Sequence, residues 1–238
     1  MEIAPRIVRI GTGLVNSYLV ESAGEVTIVD AGATGYWGEL PRELAVLGRS
    51  LDDVRAVVLT HGHSDHVGFA ERIRRERHVP IRIHEADAAL ARGEGPNPSR
   101  GLRPVKVWPL VRFLAWGIRV GALRIQAIAE VSTFGDGATL DLPGTPRVVL
   151  VPGHTPGSAA LQFADHDALF VGDALATYAV TTGREGPQIA PFTADRETAL
   201  ASLDRLAGIE AGLVLPGHGQ PWTGGVAEAI RVVRSRES

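Results

Sequence analysis

With 238 residues, 45% of them hydrophobic, and a formal net charge of −3, the chain is long enough for a large mixed α/β domain with a sizeable core. That balance excludes a disordered chain and gives no overall electrostatic footprint for nucleic acid, and the lack of cysteine excludes disulfides, cysteine nucleophiles and cysteine metal ligands. No apolar run is long enough to span a membrane and residues 1–12 lack an apolar signal core, so a soluble cytoplasmic protein with no nucleic-acid or membrane partner is expected.

In chain order, Ile7 to Ile10, Ser17 to Val20 and Val26 to Val29 read as strands of a β-meander, the first two joined through Gly11-Thr12-Gly13. Asp30 stands where the third strand stops and reads as a turn carboxylate accepting backbone N–H bonds. Gly38 to Leu47 is a helix with Leu40, Leu44 and Leu47 on one face and Gly48 as its stop. The buried run Ala56-Val57-Val58-Leu59 then leads into Thr60-His61-Gly62-His63-Ser64-Asp65-His66-Val67-Gly68. Phe69 to Arg77 is a helix whose Arg72, Arg74, Arg75 and Arg77 form a solvated face. Val79 to Ile83 is a further strand, after which His84 and Glu85 read as structural. His78 and His166 read as exposed.

Gly93 to Arg103 is a Gly/Pro/Ser/Arg-rich loop. Pro104 to Val120 reads as a helical hairpin arm or lid with an amphipathic face. Its Trp108, Phe113 and Trp116 suit either a hydrophobic substrate wall or a contact within a homodimer. Ile125 to Glu130, Arg147 to Val151, Ala159 to Phe163 and Ala168 to Val171 are strands of a second β-layer. Asp195 caps a helix over Arg196 to Ala207. Leu213 to Leu215 is the last strand and Val226 to Val233 the last helix. No linker or composition break divides the chain, so one domain over 1–238 is expected, with an insertion at about 93–135.

His61, His63, Asp65 and His66 put four metal-ligand side chains within six residues at the end of a buried strand. Neutral buried histidines need hydrogen-bond partners, and charged clustered ones repel. A metal ion resolves both problems, because imidazole and carboxylate are its natural ligands.

The stretch Thr60 to Gly68 resembles the signature of the metallo-β-lactamase superfamily. Three further blocks resemble that family's later ones, in its order: Val151-Pro152-Gly153-His154-Thr155-Pro156-Gly157-Ser158, Leu169-Phe170-Val171-Gly172-Asp173 and Leu215-Pro216-Gly217-His218-Gly219. The resemblance implies an αββα sandwich of the α/β class. It also implies two divalent metal ions, zinc first, with iron or manganese as alternatives. In that pattern His61, His63 and His154 bind one ion, Asp65, His66 and His218 bind the other, and Asp173 bridges them. Two ions about 3.5–4 Å apart share a water and lower its pKa, so the implied chemistry is hydrolysis by a metal-bridging hydroxide. Asp65 is the candidate to take or return a proton, and the resemblance suggests that Asp30 supports the metals from behind their ligands.

Members that open β-lactams typically carry Cys or Ser where Asp173 stands, and the diiron oxygen reductases usually carry Glu in place of His63. The chain is therefore more similar to glyoxalase II-like thioesterases and lactonases, and the implied small-molecule substrate is an acyl ester, thioester or lactone. Twenty residues follow His218, so the resemblance does not extend to the helical domain that holds glutathione in two-domain glyoxalase II. Tyr178 is a candidate hydrogen-bond donor to an oxyanion, and Arg184 a candidate holder of a substrate carboxylate. The alternatives are a mononuclear iron persulfide dioxygenase, loading only the His61/His154/Asp173 side, and a phosphodiesterase or nuclease of the same superfamily.

Overall fold

Successive side chains of a strand point to opposite faces, and here both faces of most strands are apolar. Such strands need cover on two sides. The computed structural model describes residues 1–99, 105–121 and 126–237. Among these, β1 (Glu2–Ala4), β2 (Ile7–Gly11), β3 (Asn16–Ser22), β4 (Glu25–Val29), β5 (Val54–Val58), β6 (Ile81–His84) and β7 (Ser132–Phe134) form one sheet in that order. Strands β1 to β4 pair antiparallel, as the predicted meander requires, and β4 to β7 pair parallel.

A second sheet is built from β8 (Arg147–Leu150), β9 (Ala159–Phe163) and β10 (Ala168–Gly172). The hairpin β11 (Ala176–Tyr178) and β12 (Glu185–Gln188) follows, and β13 (Leu213–Pro216) returns to lie parallel to β10 at the sheet's edge.

Ile7, Tyr18, Val58, Leu161, Phe163, Phe170 and Leu215 meet between the two sheets. The alternate residues Val8, Leu19, Ile28 and Val57 face outward, where Leu40 and Leu44 of α1 (Leu40–Val46) and Ile73 of α2 (Ala70–Arg77) cover them. After α3 (Ala88–Ala91) and α4 (Val107–Arg119), helices α5 (Arg196–Ser202) and α6 (Gly225–Glu237) cover the second sheet. They do so through Ala199, Val226, Ile230 and Val233, packed on Leu169, Val171 and Val214. The layers are helix, sheet, sheet, helix: the αββα order expected from the sequence.

Several elements differ from the sequence reading. Residues 104–120 do not form a hairpin of helices. The described part is one helix, α4, with Pro109 in its first turn, where a missing N–H costs nothing; Pro104 lies outside the described residues. The strand expected over 125–130 is absent from the described part, and Ile125 lies outside it. Ile128 is buried there for another reason: its N–H bonds the carbonyl of Ala91 and its side chain joins the outer core. The strand is β7, a few residues later. The first helix begins at Leu40, after a 3₁₀ turn over Thr34–Gly38, because Pro41 suits a first turn. The helix capped by Asp195 ends at Ser202 and continues as a 3₁₀ turn over Leu203–Leu206. His166 is half-buried rather than exposed, and its Nε2 meets the carbonyl of Glu21 at 2.9 Å.

Parallel pairing puts strand ends on the same edge. The carboxyl ends of β4 and β5 therefore lie side by side and deliver Asp30 and the segment from Thr60 together. Those of β10 and β13 do the same for Asp173 and His218. The N–H of Ala159 bonds the carbonyl of Thr60, joining the two edges.

Candidate metal centre

Seven side chains converge at this edge. His61, His63 and His154 each offer a ring nitrogen within 4.8 Å of the others, as do the ligand atoms of Asp65, His66 and His218. Asp173 lies between the groups. Its Oδ2 is 3.4 Å from His154 Nε2 and 3.1 Å from His218 Nε2, and its Oδ1 is 3.6 Å from His66 Nε2. All are buried except Asp65, which is half-buried. Gly172 and Gly217 make this packing possible. Gly172 has φ +50°, and a Cβ there would strike Thr60; a Cβ on Gly217 would run into Asp173 Oδ1 and the His66 ring.

The outer hydrogen bonds decide which way each ring proton points. Thr60 donates its hydroxyl to Asp30 at 2.8 Å, so its oxygen is left to accept from His61 Nδ1 at 3.1 Å. Thr193 donates to the carbonyl of Ala190 and so accepts from His154 Nδ1 at 3.1 Å. Asn97 Oδ1, an acceptor only, lies 3.1 Å from His63 Nε2. Asp30 Oδ2 accepts from His66 Nδ1 at 2.9 Å, and the carbonyl of Leu14 accepts from His218 Nδ1. Every proton is thereby drawn outward, and the lone pairs point inward.

The inward nitrogens of His61 and His154 lie 3.2 and 2.9 Å from His63 Nδ1, three acceptors facing one another. His66 Nε2 and Asp173 Oδ1 are buried with no hydrogen-bond partner among the described residues. A cation satisfies all of these atoms at once, so the residues fit a divalent metal.

The protonation of the side chains agrees. Burial drives His61 well below its ordinary value and His154 down to about 3, so both are neutral, as ligands must be. Burial works the same way on His66, but the carboxylates of Asp30, Asp65 and Asp173 outweigh it and push it up to about 10. His218 is raised in the same way, against burial, by Asp173 and then Asp65. Asp173 is held well below the carboxylate range by His218, His154 and His66 despite its burial.

The model of the metallo-beta-lactamase superfamily matches residues 10–218, which contain all seven convergent side chains. The chain belongs to this superfamily. Its residues are 31% identical over 228 positions to the probable metallo-hydrolase YflN of Bacillus subtilis, covering 89% of this chain and 83% of that protein. It is 28% identical over 215 positions to the acyl-coenzyme A thioesterase MBLAC2 of Bos taurus, covering 85% and 72%. The crystal structure of TTHA1623 in a di-iron-bound form superposes with a TM-score of 0.61 at 27% identity, covering 93% of this chain and 96% of that one. The chain is thus a metallo-hydrolase of the superfamily with a divalent metal site.

Of the residues predicted to meet substrate, Phe113 alone reaches the centre. It sits edge-on to His218 with ring centroids 6.4 Å apart. Trp116 stacks on Phe113 at 5.6 Å and packs on Tyr36. Trp108 does not join them and stands in solvent, 79% exposed. Arg184 stands exposed in the loop between β11 and β12, and Tyr178 is half-buried at the end of β11. No hydrogen bond places the Tyr178 hydroxyl on a ligand among the described residues. Beside this hairpin runs a groove of about 1080 Å³, lined in part by Lys106, Thr181, Arg184, Phe192, Thr193 and Arg196. Thr193 ties the groove to His154.

Sequence reasoning pointed to Asp30 but missed the other supports. Asp30 does accept the Thr60 N–H, as expected of a turn carboxylate, and it also orients His66. Asp87 is fully buried. Its carboxylate accepts from the N–H of Gly62 at 2.9 Å, the N–H of Gly157 at 2.7 Å and the hydroxyl of Thr155 at 2.7 Å. It clamps the His61–His66 loop to the His154 loop. One signal was available: Asp87 follows the carboxyl end of β6 much as Asp30 follows β4. Asn97, Thr193 and Ser99, whose hydroxyl oxygen lies 3.1 Å from His63 Nε2, carried none.

Proposed function

We propose that this chain is a dinuclear metal-dependent hydrolase that cleaves a small acyl ester, thioester or lactone. The observation that carries this reading is Asp173. Its two oxygens lie between the His61/His63/His154 group and the Asp65/His66/His218 group, and one of them is buried without a partner. A carboxylate placed between two ligand sets could serve an ion on either side, which supports a pair of ions over one. Zinc is the first candidate, and the likeness to a di-iron-bound structure supports iron as the second.

When bound, two divalent ions supply an acidified water as nucleophile and polarise the substrate carbonyl. The chain's own residues do the rest. The five histidines and Asp173 fix the donor positions, and Asp30, Thr60, Asn97 and Thr193 hold the rings so that nothing reorganises during the reaction. Asp65 is the most exposed carboxylate of the set, with Oδ2 3.5 Å from His218 Nε2 and its side chain 20% accessible. We assign it the proton transfer to the leaving group. Phe113 and Trp116 wall one side and limit water. Arg184 and Lys106 in the groove suit an anionic group on the substrate, and the likeness to an acyl-coenzyme A thioesterase supports thioesters as the first class to assay.

Elemental analysis of protein purified without chelator or affinity metal tests this. Two ions per chain, one or none in Asp173→Ala, and metal-dependent release of thiol or acid from acyl thioesters or lactones are expected. One iron per chain with oxygen uptake on persulfides would replace this reading with the dioxygenase one.

A further inference from the structure

Helix α4 is apolar on two opposite faces. The inner face, with Phe113, Trp116 and the buried Gly117, packs toward His218 and Tyr36. The outer face aligns Val107, Val111, Leu114 and Ile118, spaced four, three and four residues apart, with Trp108 beside the first. Their exposures are 74%, 45%, 50%, 70% and, for Trp108, 79%. Among the described residues the only other large hydrophobics this exposed are Met1, Val46 and the adjoining Val105. Most of the large hydrophobic side chains left in water, among the described residues, are therefore gathered on this one helix. Patches of this kind mark contact sites.

The charge beside the line is of one sign. Residues 105–121 contain Lys106, Arg112 and Arg119 and no carboxylate, in a chain whose net charge is −3. Arg112 and Arg119, seven residues apart, share one flank of the stripe. None of the three forms an ion pair among the described residues.

We infer that the outer face of α4 seats the protein on an anionic lipid surface, with the helix lying in the plane of the interface. An aliphatic stripe with a tryptophan and a cationic flank gains from both the acyl boundary and the headgroup charge. A second copy is a poorer occupant. A two-fold contact through this face sets Arg112 and Arg119 of each copy near those of the other, with no acid on the helix to offset them. Docking of this kind needs no membrane span, and no described helix is long and apolar enough for one. It would turn the side of the molecule that carries Phe113 and the metal centre toward the lipid. The inference does not depend on which acyl bond is cleaved.

Flotation of the metal-loaded protein with phosphatidylglycerol vesicles and with phosphatidylcholine vesicles tests it, read as the fraction bound. The wild type is expected to float with the anionic vesicles and to be released by salt. Leu114→Ser combined with Ile118→Ser, at exposed positions outside the centre, should weaken this roughly tenfold or more. Arg112→Glu with Arg119→Glu, which leaves the stripe in place, should do the same, and both variants should keep the wild-type metal content and melting curve. No flotation at lipid excess would overturn the inference. So would equal flotation of wild type and the Arg112→Glu/Arg119→Glu variant. A solution dimer that Leu114→Ser/Ile118→Ser dissociates would give the face to a second copy instead.

Discussion

Each imidazole proton in the centre is held by an atom that only accepts, or by a hydroxyl that has already given its own proton away. Removing one such atom frees the ring to turn or to present its proton inward. Asp30→Ala is expected to lower metal affinity at the His66 side by roughly 10–100-fold, measured by competition with a chelator, while leaving the His61/His63/His154 side occupied. Asp87→Asn converts an acceptor of three bonds into a group that must turn a donor on Gly62, Gly157 or Thr155. It should destabilise the fold by about 1–3 kcal/mol in urea unfolding and loosen the His154 loop against the His61 loop. The seven convergent side chains were legible because they sit in compact blocks whose spacing a single sequence displays. Asp87 and Thr193 were not, because the atoms they hold lie 25 to 70 and 39 residues away, and no local pattern records such a pairing.

At the scale of elements, short continuous apolar runs bounded by turn residues made β2 to β5 and β8 to β10 readable, since both faces of most of these strands are buried. It failed at β7, a three-residue parallel edge strand whose Ser132 and Thr133 are exposed, and Ile128 drew the reading a few residues too early. For α4 one apolar face was expected and two are found, and which aromatic faced inward depended on how the helix rolled against Tyr36. Phe170 in β10 is fully buried, edge-on to Tyr18 at 5.2 Å and to Phe163 at 5.1 Å, between the sheets. Phe170→Ala should cost about 3–5 kcal/mol of stability in urea unfolding, because the flanking strands cannot close on the space it leaves. Phe113→Ala touches only the rim. It should leave stability nearly unchanged and raise KM, because the wall beside His218 is gone.

For the whole molecule, protons and metal compete. His154, depressed to about 3, contributes stability that is fully present above its ordinary 6.5 and is lost as pH falls from there toward 3. His66, raised to about 10, works the opposite way in metal-free protein: its contribution is present below 6.5 and is lost as pH rises through 10. An ion at His66 must displace that proton. Metal affinity should therefore rise with pH between about 6 and 9, by up to ~tenfold per unit for each proton released. Calorimetric titration in buffers of different ionisation enthalpy would count those protons, and pH-independent affinity would contradict the assignment of His66.

The carboxyl ends of β5, β8, β10 and β13 all open on one edge, and their residues enter the centre in the order 61, 154, 173, 218. The Asp65/His66/His218 group is therefore incomplete until the last strand has docked beside β10. A nascent chain that has exposed only its first two hundred residues already owns His61, His63 and His154, but not His218. On the proposed two-ion reading, a chain cut short before β13 would carry the His61/His63/His154 set complete and the Asp65/His66/His218 set without its last member.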